Sequence, residues 1–367
     1  MNNVFAWKFR VPGLMGLLLA ILLSSCGFPG VVSTSQQLPQ VSNTPTATSL
    51  PPVRFPQDEA AHNDLNEWWY YTGHLSAIDS SGKAHTYGFE LVVFQAVRSD
   101  FPPIYASHFA ISDITRGEFH YDQHRQIEPN AVIPDGTSAQ GIHIRLDDWS
   151  IRGLNGHDHL IASMKDYAMQ LNLTSLKAAV LHNGNGLITY GPSGFSYYYS
   201  RTRMEVAGTL VDHNQTLRVS GQAWMDHQWG NFLTNLGGGW NWFSVQLNND
   251  TEMMLYFVRD TSSTYISYID AHDQDHLIPQ RSLRLSVLNH WTSPVTGITY
   301  PSGWRLEVND PQLRTTLTII PQLKDQELVA TSSTGNTYWE GAVNINGQQG
   351  GKGVSGNGYV ELTGYSR

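Results

Sequence analysis

The chain has 367 residues, of which 40% are hydrophobic and 11% aromatic, so it is long enough for two folded domains. Only 14% of the residues are charged, and the formal net charge is −9 with no cluster of lysine or arginine. This balance excludes a mainly disordered chain, and it predicts no nucleic-acid partner because nucleic-acid binding depends on a basic surface.

The first 26 residues predict a lipoprotein signal peptide. Lys8 and Arg10 precede an apolar run at 13–23, which is too short to span a membrane. The small residues before Cys26 resemble the lipobox of bacterial lipoproteins, which implies cleavage before Cys26 and a lipid on its sulfur. Cys26 is the only cysteine in the sequence, so no disulfide within the chain is expected. The sequence therefore predicts an extracytoplasmic protein that is attached to the membrane through this lipid alone.

Residues 27–55 predict a flexible tether, because they are rich in Ser, Thr, Pro and Gln and show no hydrophobic periodicity. From residue 56 onward, short runs of alternating, β-branched or aromatic residues are separated by Gly, Asn, Asp and Pro. Two examples are "HTYGFELVVFQ" at 85–95 and "RTTLTIIP" at 314–321. Many short strands at such spacing predict an all-β protein built from antiparallel barrels or sandwiches.

The first dense aromatic run is "NEWWYYTGHL" at 66–75. Strand alternation places Glu67, Trp69 and Tyr71 on one side of the strand. Aromatic runs of this kind form the hydrophobic core of many β proteins, but a buried Glu67 needs a partner or a shifted pKa. We therefore expect these three side chains to bind substrate, with core packing as the alternative interpretation.

Two further candidates follow in the first half of the sequence. His108, in "ASHFAISD", stands beside aromatic residues, and Arg201, in "YYYSRTRMEVAG", follows three tyrosines. Arg201 is expected either to pair with Glu90 or Glu205 inside the fold or to anchor a carboxylate or polar head group. The fifteen histidines show no HExxH pattern and no nearby cysteine ligands, so no metal site is predicted.

The stretch "GQAWMDHQWG" at 221–230 is the main candidate for a catalytic site. As a strand, it places His227 and Trp229 on one face, and Trp224 and Asp226 on the other. A histidine can act as acid or base near neutral pH, and a tryptophan ring can hold an apolar substrate or stabilise a cation. We expect His227 to be central, with Asp226 and Trp229 assisting it. Trp224 is expected to contact the substrate.

The second half of the chain repeats the first. The segment "VSGQAWMD" at 219–226 aligns with "VSGNGYVE" at 354–361. Earlier in each half, "WWYYTGHL" at 68–75 aligns with "WNWFSVQL" at 240–247. Because the matches keep the same order in both halves, the repeat predicts two tandem β domains that arose by internal duplication.

The repeat also predicts where the chain divides. Asp226 aligns with Glu361, and Glu90 is taken to correspond to Glu252. The three glycines at 237–239 predict a hinge or a close contact between the two halves. The predicted domains are 56–236 and 237–367.

The His–Trp pair differs between the two copies. The second copy carries Leu362 where the first carries His227, and it carries Gly364 in place of Trp229. If the pair only closed a barrel strand, the second copy would need a similar pair. The difference favours a functional role for His227 and Trp229.

The motifs "EWWYYTGHL", "YGFELVVFQ", "HFAISD", "YYYSRTRMEVAGTL" and "AWMDHQWG" together resemble the family of carotenoid 1,2-hydratases and AttH-like proteins. The resemblance runs from about Phe55 to Tyr365 and implies two lipocalin-like (calycin-type) antiparallel β barrels in tandem. For the hydratases, it implies protonation of an alkene to a tertiary cation that water captures, without a cofactor. Other members are described as secreted hydrolases. The His-x-Trp pattern of the family falls on His227 and Trp229, and a downstream tyrosine of the hydratases falls on Tyr256.

The sequence thus predicts a lipid-anchored, extracytoplasmic enzyme that hydrates or hydrolyses an apolar isoprenoid- or lipid-like substrate. His227 would carry the acid–base chemistry, with Asp226 and Glu67 as helpers. Tyr256 would be a third helper. The alternative is a lipocalin-type binding lipoprotein that holds an amphipathic ligand unchanged. Both interpretations predict a monomer, an apolar or amphipathic small molecule as partner, and no cofactor.

Overall fold

The computed structural model describes residues 50–127, 141–232, 238–259, 263–311 and 313–366. Cys26, the rest of the predicted signal peptide and the predicted tether up to residue 49 lie outside the described residues, as does Gly237 at the predicted junction. Across the described ranges, no helix is long and apolar enough to cross a membrane. These ranges consist mainly of β-strands joined by turns and short 3₁₀ helices. The described 3₁₀ helices are Gln57–Glu59, His182–Gly184, Gly191–Ser193 and Gln280–Ser282.

Strands β1–β12 form one antiparallel sheet, and β13–β24 form a second one apart from the separate hairpin of β18 and β19. The strands of the first sheet are β1 (Asn66–Ile78), β2 (Ala84–Arg98), β3 (Phe101–Asp113), β4 (Glu118–Ile127), β5 (Ile142–Leu146), β6 (Trp149–Leu154), β7 (His157–Met164), β8 (Tyr167–Ser175), β9 (Val180–Leu181), β10 (Leu187–Thr189), β11 (Phe195–Asp212) and β12 (Gln215–Gly230). The later strands are β13 (Trp240–Leu247), β14 (Glu252–Val258), β15 (Thr264–Ile269), β16 (Asp275–Leu277), β17 (Leu283–Val287), β18 (His290–Thr292), β19 (Thr299–Pro301), β20 (Trp304–Asn309), β21 (Arg314–Pro321), β22 (Glu327–Ala330), β23 (Asn336–Gln349) and β24 (Lys352–Leu362).

The first sheet is an up-and-down meander, in which neighbours along the chain are mostly neighbours in the sheet. Its order is β4-β3-β2-β1-β12-β11-β8-β7-β6-β5, and β9 and β10 add to β11. Side chains join the two end strands: His124 Nδ1 of β4 lies 2.9 Å from Asp147 Oδ2, just after β5. The His124 ring also stacks on Trp149 at the start of β6. The sheet therefore curls into a barrel, which we call the first barrel.

The second sheet repeats this order. It runs β16-β15-β14-β13-β24-β23-β21-β20-β17, with β22 beside β23, and we call it the second barrel. Tyr70 of β1 pairs with Asp226 of β12, and Trp242 of β13 pairs in the same way with Glu361 of β24. Aligned positions of the repeat thus share one register in both barrels. The predicted all-β fold of two tandem lipocalin-like antiparallel barrels is confirmed.

One predicted correspondence of the repeat is wrong. Glu90 pairs with Thr72 of β1. Glu252 instead pairs with Gln246 of β13, which is the equivalent of His74 and not of Thr72. The two acids are therefore displaced by two positions. Because a shift of two keeps a side chain on the same face of a strand, the sequence pattern looked alike in both copies.

Each barrel has its own hydrophobic core, and a third cluster lies between the barrels. Trp68 of β1 stacks on Trp240 of β13 with ring centroids 6.2 Å apart, and Trp224 meets Trp242 edge-on at 6.0 Å. Such rings bury large apolar areas and gain from their mutual geometry, so this cluster stabilises the contact between the barrels. In each of the strand pairs β1–β12 and β13–β24, one face therefore packs in the core of its own barrel, and the other face packs against the other barrel.

The contact between the barrels can be tested at Gly88 of β2, which is buried. A Cβ added there would lie 2.7 Å from the Cβ of Ala342 and 2.5 Å from the hydroxyl oxygen of Tyr359, both in the second barrel. We expect Gly88→Ala to lower the free energy of unfolding by roughly 1–3 kcal/mol in urea, because the barrels must move apart. The control Gly353→Ala, where no heavy atom lies within 4 Å, should not destabilise the protein. Equal stability of the two variants would contradict this close contact.

Candidate active site

Strand alternation divides the predicted site residues between the two faces of β1 and β12, as expected from the sequence. One set points into the first barrel, and the other faces the second barrel. The inward set is Glu67, Trp69, Tyr71, His227 and Trp229, and the outward set is Trp68, Tyr70, Trp224 and Asp226. His227 and Asp226, adjacent in sequence, therefore belong to different clusters.

The inner cluster consists of Glu67, His62, His227 and Trp229. Glu67 Oε1 accepts hydrogen bonds from His227 Nε2 at 2.7 Å and from His62 Nδ1 at 2.8 Å. Glu67 Oε2 accepts from the backbone N–H of His62 at 2.8 Å. The His62 ring lies parallel to that of Trp229, with centroids 4.2 Å apart. Because Glu67 and His227 are fully buried, the inner cluster ties the segment before β1 firmly to β1 and β12.

The charges of the inner cluster follow from these contacts. Burial disfavours a charge on His62, but the Glu67 carboxylate and Asp58 outweigh it and raise the pKa of His62 to about 9. Burial also disfavours the carboxylate of Glu67, yet His62 and His227 hold its pKa below the usual range. The pKa of His227 is lowered, because burial outweighs the effect of Glu67. At neutral pH, His62 and Glu67 thus form an ion pair. His227 is neutral and donates a hydrogen bond from Nε2 to the Glu67 carboxylate.

The donor atoms of His62, Glu67 and His227 lie within 4.8 Å of one another, which makes them a candidate metal-binding set. The two nitrogen-to-oxygen distances of 2.7 and 2.8 Å are those of hydrogen bonds. Two ligands of one tetrahedral zinc ion lie roughly 3.3 Å apart, since each bond is about 2.0–2.1 Å long. The positions therefore describe a hydrogen-bonded ion pair. Strand alternation gives no sign that His62 joins Glu67, because His62 precedes the strand.

Arg201 lies at one end of the first-barrel interior, where it pairs with Glu59. The backbone N–H of Asn155 also donates to the Glu59 carboxylate, at 2.8 Å. The predicted pairing of Arg201 with Glu90 or Glu205 is wrong. Glu90 contacts the second barrel, and Glu205 is exposed on the outer face of β11. The charge of Arg201 is therefore already compensated by an acid of the fold.

The remaining predicted binding residues also have partners inside the fold. Trp69 donates its indole N–H to a backbone carbonyl at 3.2 Å, and Tyr71 donates its hydroxyl proton to Asp158 at 3.0 Å. His108 lies between the barrels, with Nδ1 at 2.6 Å from the hydroxyl oxygen of Tyr338. Burial lowers the pKa of His108 to about 3, so its ring is neutral. Each of these three side chains is held by the protein itself.

A pocket lies between the barrels, on the opposite face of β1 and β12 from the inner cluster. Its cavity volume is about 30 Å³, and it is partly open to solvent. Aromatic rings form most of its wall, two carboxyl groups face it, and among the residues that the structure describes its lining includes no Lys or Arg. We call it the interbarrel pocket. Its lining residues are Trp68, Tyr70, Phe94, Tyr198, Asp226, Gln228, Trp240, Trp242, Tyr256 and Glu361.

The interbarrel pocket is built largely from equivalent positions of the repeat. The equivalent pairs in its lining are Trp68 with Trp240, Tyr70 with Trp242, and Asp226 with Glu361. Each barrel thus contributes two aromatic side chains and one acid from the same positions. The pocket therefore lies where the two copies of the repeat face each other.

Three donors hold Asp226 in the pocket wall. Its Oδ1 atom accepts hydrogen bonds from Trp224 Nε1 at 2.7 Å and from the hydroxyl of Ser200. Its Oδ2 atom accepts from the hydroxyl of Tyr198 at 2.8 Å. Burial raises the pKa of Asp226 to about 7, although the three donors favour the charged form. Asp226 can therefore gain or lose a proton near neutral pH while its position stays fixed.

Glu361 occupies the equivalent position but has a different environment. The indole N–H of Trp240 donates to Glu361 Oε2 at 2.6 Å. Burial raises the pKa of Glu361 to about 8, and the negative charges of Glu90 and Asp226 act in the same direction. At neutral pH Glu361 therefore retains its proton more readily than Asp226 does. Two buried acids whose pKa values lie near neutral pH can serve as an acid and a base.

Two more buried carboxyl groups lie beside the pocket. The Tyr70 hydroxyl lies 3.0 Å from Glu90 Oε1 and 3.2 Å from Glu340 Oε2, and Tyr338 donates to Glu90 Oε1 at 2.9 Å. Burial raises the pKa of Glu90 to about 7 and that of Glu340 well above its usual range. Crowded acids in an apolar environment favour their protonated forms, so this side of the pocket holds exchangeable protons.

The structure thus separates the predicted catalytic residues into two places. Asp226 and Tyr256 line the interbarrel pocket, and Trp224 holds Asp226, whereas His227 lies in the inner cluster. Sequence reasoning missed Glu361 as a site residue. Its alignment with Asp226 was a usable signal, but an alignment does not show that the two copies face each other.

Two tandem antiparallel barrels with an acidic, aromatic pocket between them define a lipocalin-like tandem-barrel protein. The chain belongs to the AttH-like family, whose model matches residues 46–365. It is similar to kievitone hydratase of Fusarium solani subsp. phaseoli, with 22% identity over 271 residues, which cover 70% of this chain and 73% of the relative. The family resemblance expected from the motifs is confirmed.

Two solved structures share the fold over nearly their full lengths. An AttH protein from Nitrosomonas europaea matches with a TM-score of 0.74 and 29% identity, over 86% of this chain and 98% of that protein. Kievitone hydratase from Nectria haematococca matches with a TM-score of 0.66 and 17% identity, over 88% and 96% of the two chains. At that identity, the second likeness shows the fold alone.

The His62–Glu67 ion pair predicts a pH-dependent contribution to stability. We expect His62→Ala to lower the free energy of unfolding on the order of 2 kcal/mol at about pH 6, and by less at about pH 10. Because the pKa of His62 is raised to about 9, the stabilisation is fully present below its ordinary pKa and disappears as the pH rises through about 9. Urea unfolding at both pH values measures this, with the exposed His272→Ala as the control. A loss independent of pH would contradict the ion pair.

Proposed function

We propose that this protein is a hydratase that adds water to an alkene of an apolar, isoprenoid-like substrate in the interbarrel pocket, without a cofactor. One observation carries the proposal: Glu361 and Asp226, two buried acids whose pKa values are both raised towards neutral pH, face the same aromatic pocket. An aromatic lining without basic side chains suits an apolar chain. The likeness to kievitone hydratase supports the reaction class.

Glu361 supplies the proton in the first step. The O–H bond of its carboxyl group breaks, a C–H bond forms at the less substituted alkene carbon, and a cation forms at the more substituted one. Burial keeps this proton on Glu361 at neutral pH, because it raises the pKa to about 8. The carboxylate left behind lies in the same dry environment and attracts the cation.

The aromatic wall stabilises the cation. The rings of Trp68, Trp240 and Tyr256 all line the pocket, and the two indoles stack on each other. The face of an indole or phenol ring is electron-rich and attracts a cation, most strongly where water is excluded. The described lining includes no Lys or Arg, so no positively charged side chain there repels the cation.

Asp226 accepts the second proton. A water molecule attacks the cation, a C–O bond forms, and the water transfers one proton to the Asp226 carboxylate. The donors Ser200, Trp224 and Tyr198 fix this carboxylate before the reaction, so little reorganisation is needed. One proton leaves Glu361 and one arrives at Asp226, and the product is a tertiary alcohol.

His227 and Trp229 act in this proposal by positioning. His227 Nε2 donates to Glu67 at 2.7 Å across the pair of β12 and β1. Since Asp226 is the next residue on the other face of β12, the inner cluster fixes the register that directs Asp226 into the pocket. His227 therefore supports the acid–base pair without touching the substrate.

Lipid anchoring is a further part of the proposal. The lipobox-like residues before Cys26 support an extracytoplasmic protein held at a membrane, where apolar substrates dissolve. We expect Cys26→Ala to move the protein from the membrane fraction to the soluble fraction, because a lipid thioether can no longer form. Fractionation followed by mass spectrometry of the N-terminal peptide measures this. An unmodified Cys26 in the membrane-bound wild-type protein would contradict the anchor.

Hydration can be tested with a prenylated phenol as the probe in heavy-oxygen water. We expect a tertiary alcohol that carries the heavy oxygen, detected by mass spectrometry. Glu361→Gln and Asp226→Asn should each lower kcat by about 100-fold or more, because each removes one proton-transfer group. The control Asp122→Asn changes an exposed carboxylate and should leave kcat unchanged. Circular dichroism checks that all variants fold.

Other outcomes of this experiment separate the alternatives. Binding of the probe without any product would contradict hydration and favour a binding lipoprotein, whereas cleavage products with heavy oxygen would favour a hydrolase. The pH profile adds a second criterion, because Glu361 must be protonated and Asp226 ionised. The rate should fall as the pH rises through about 8 and as it drops below about 7. A rate independent of pH across this range would contradict the two assignments.

A further inference from the structure

Behind the pocket wall, Asp226 is connected to a buried histidine. The hydroxyl of Ser200, which donates to Asp226 Oδ1, lies 2.6 Å from His182 Nε2. The other ring nitrogen, His182 Nδ1, lies 2.9 Å from the hydroxyl oxygen of Ser267. His182 belongs to the 3₁₀ helix between β9 and β10, and its side chain is fully buried. Both ring nitrogens are thus engaged, each with a group that can donate or accept.

The chain of contacts continues to the surface of the second barrel. Ser267 lies on β15, and Asp275 lies on the neighbouring strand β16, where it pairs with Ile269, two residues from Ser267. The two side chains therefore share one face of the strand pair, and the Ser267 hydroxyl lowers the pKa of Asp275 against the effect of burial. Asp275 is partly exposed to solvent. In order, the five side chains are Asp226, Ser200, His182, Ser267 and Asp275. Hydrogen bonds join the first four side chains, and the partly exposed fifth lies beside the fourth, so together they lead from the pocket towards water.

The histidine in this path is neutral. Burial lowers the pKa of His182 to about 3. Besides the two hydroxyls, the ring contacts Tyr198 with centroids 4.4 Å apart. In a neutral imidazole, one nitrogen carries a proton and the other accepts one, and the two can exchange these roles. An amide could fill the same space and bind both hydroxyls, but it could not pass a proton through.

We propose that these five side chains form a proton relay that returns the proton of Asp226 to solvent through His182 after each turnover. The relay rests on the proposed function, because it serves the acid that accepts a proton during hydration. His182 acts through Ser200 and does not touch the substrate, so it is a positioning and transfer residue.

The transfer balances along the path. Asp226 gives its proton to the Ser200 oxygen as Ser200 gives its own to His182 Nε2. His182 then releases the Nδ1 proton to the Ser267 oxygen, and Ser267 gives its own proton to the Asp275 carboxylate. One proton has moved from the pocket to the surface, and His182 has exchanged tautomers. Asp226 is again the carboxylate needed for the next cycle, and Asp275 releases its new proton to water. The path is reset when the His182 ring and the two hydroxyls reorient, which returns the ring proton to the side of Ser267 and frees the acceptor nitrogen beside Ser200.

The reaction needs such a path, because hydration leaves Glu361 without its proton and Asp226 with an extra one. While a substrate or product fills the pocket, water cannot easily reach Asp226 from the pocket side. Burial also raises the pKa of Asp226 to about 7 and that of Asp275 to about 6. The pKa values of the two terminal acids thus differ by about one unit, so the equilibrium constant for moving a proton from one to the other is within about tenfold of one. A proton can therefore move between them in either direction.

The relay can be tested without substrate on the full chain with isotope-labelled histidine. Nuclear magnetic resonance measures how fast the ring proton of His182 exchanges with water, and its signal is assigned by its loss in His182→Gln. We expect exchange in the wild type to be at least about tenfold faster than in Asp275→Asn, because the amide cannot take up and release the proton. The matched control Asp273→Asn, at an exposed neighbour outside the path, should resemble the wild type. Equal exchange in the wild type and Asp275→Asn would overturn the relay.

Turnover of the prenylated phenol provides the second measurement. Asp275→Asn should slow repeated turnover by about tenfold while the first turnover proceeds at the wild-type rate, because the relay acts only in resetting Asp226. If the first turnover and repeated turnover were slowed equally, the relay would be overturned, since this would show that the substitution alters the structure of the pocket. If the wild type does not hydrate the probe, hydration of this class fails as a function, and the exchange measurement still decides whether the path conducts protons.

Discussion

The register between β1 and β12 is the constraint on which the rest of the structure depends. Tyr70 opposite Asp226 fixes which side chains point into the first barrel and which point towards the second. A slip of β12 by one residue would exchange its two faces, moving Asp226 into the barrel and His227 out of it. The buried hydrogen bond from His227 to Glu67 opposes such a slip, because the slip would leave the Glu67 carboxylate without its partner on β12. A core network with no contact to the pocket thereby determines the position of a pocket acid.

The pocket shows how one repeated pattern gives two acids different environments. Asp226 and Glu361 occupy equivalent positions, yet Asp226 has three hydrogen-bond donors and Glu361 has the Trp240 indole. Donors favour the charged form of a carboxyl group, and burial favours the neutral form, so the balance between the two differs for the two acids. The backbone places the two acids at equivalent positions, and the neighbouring side chains make their environments different. Hydrogen bonds through Ser200 then connect one of the two acids, Asp226, to the buried ring of His182.

The fold and the faces of the key strands could be predicted from the sequence, because period-two alternation and an ordered repeat are local signals. The hydrogen-bond and ion-pair partners of the site residues could not be predicted, because they depend on how segments that are distant in sequence pack together. His62 joins Glu67 from an irregular segment before β1, and Arg201 reaches Glu59 instead of the acids on nearby strands. Glu361 meets Asp226 only because the two barrels dock on equivalent faces. Glu252 is displaced by two positions relative to Glu90, and strand alternation could not reveal this because a shift of two keeps a side chain on the same face.

The equivalence of the pocket-lining positions has a consequence for the origin of the site. A single ancestral barrel that associated through this face would have formed an isologous homodimer, with the same acid contributed by each subunit across a twofold axis. Two identical carboxyl groups cannot specialise independently, since every substitution changes both. Within one chain this restriction is absent, since Asp226 and Glu361 are encoded separately and each can change without the other.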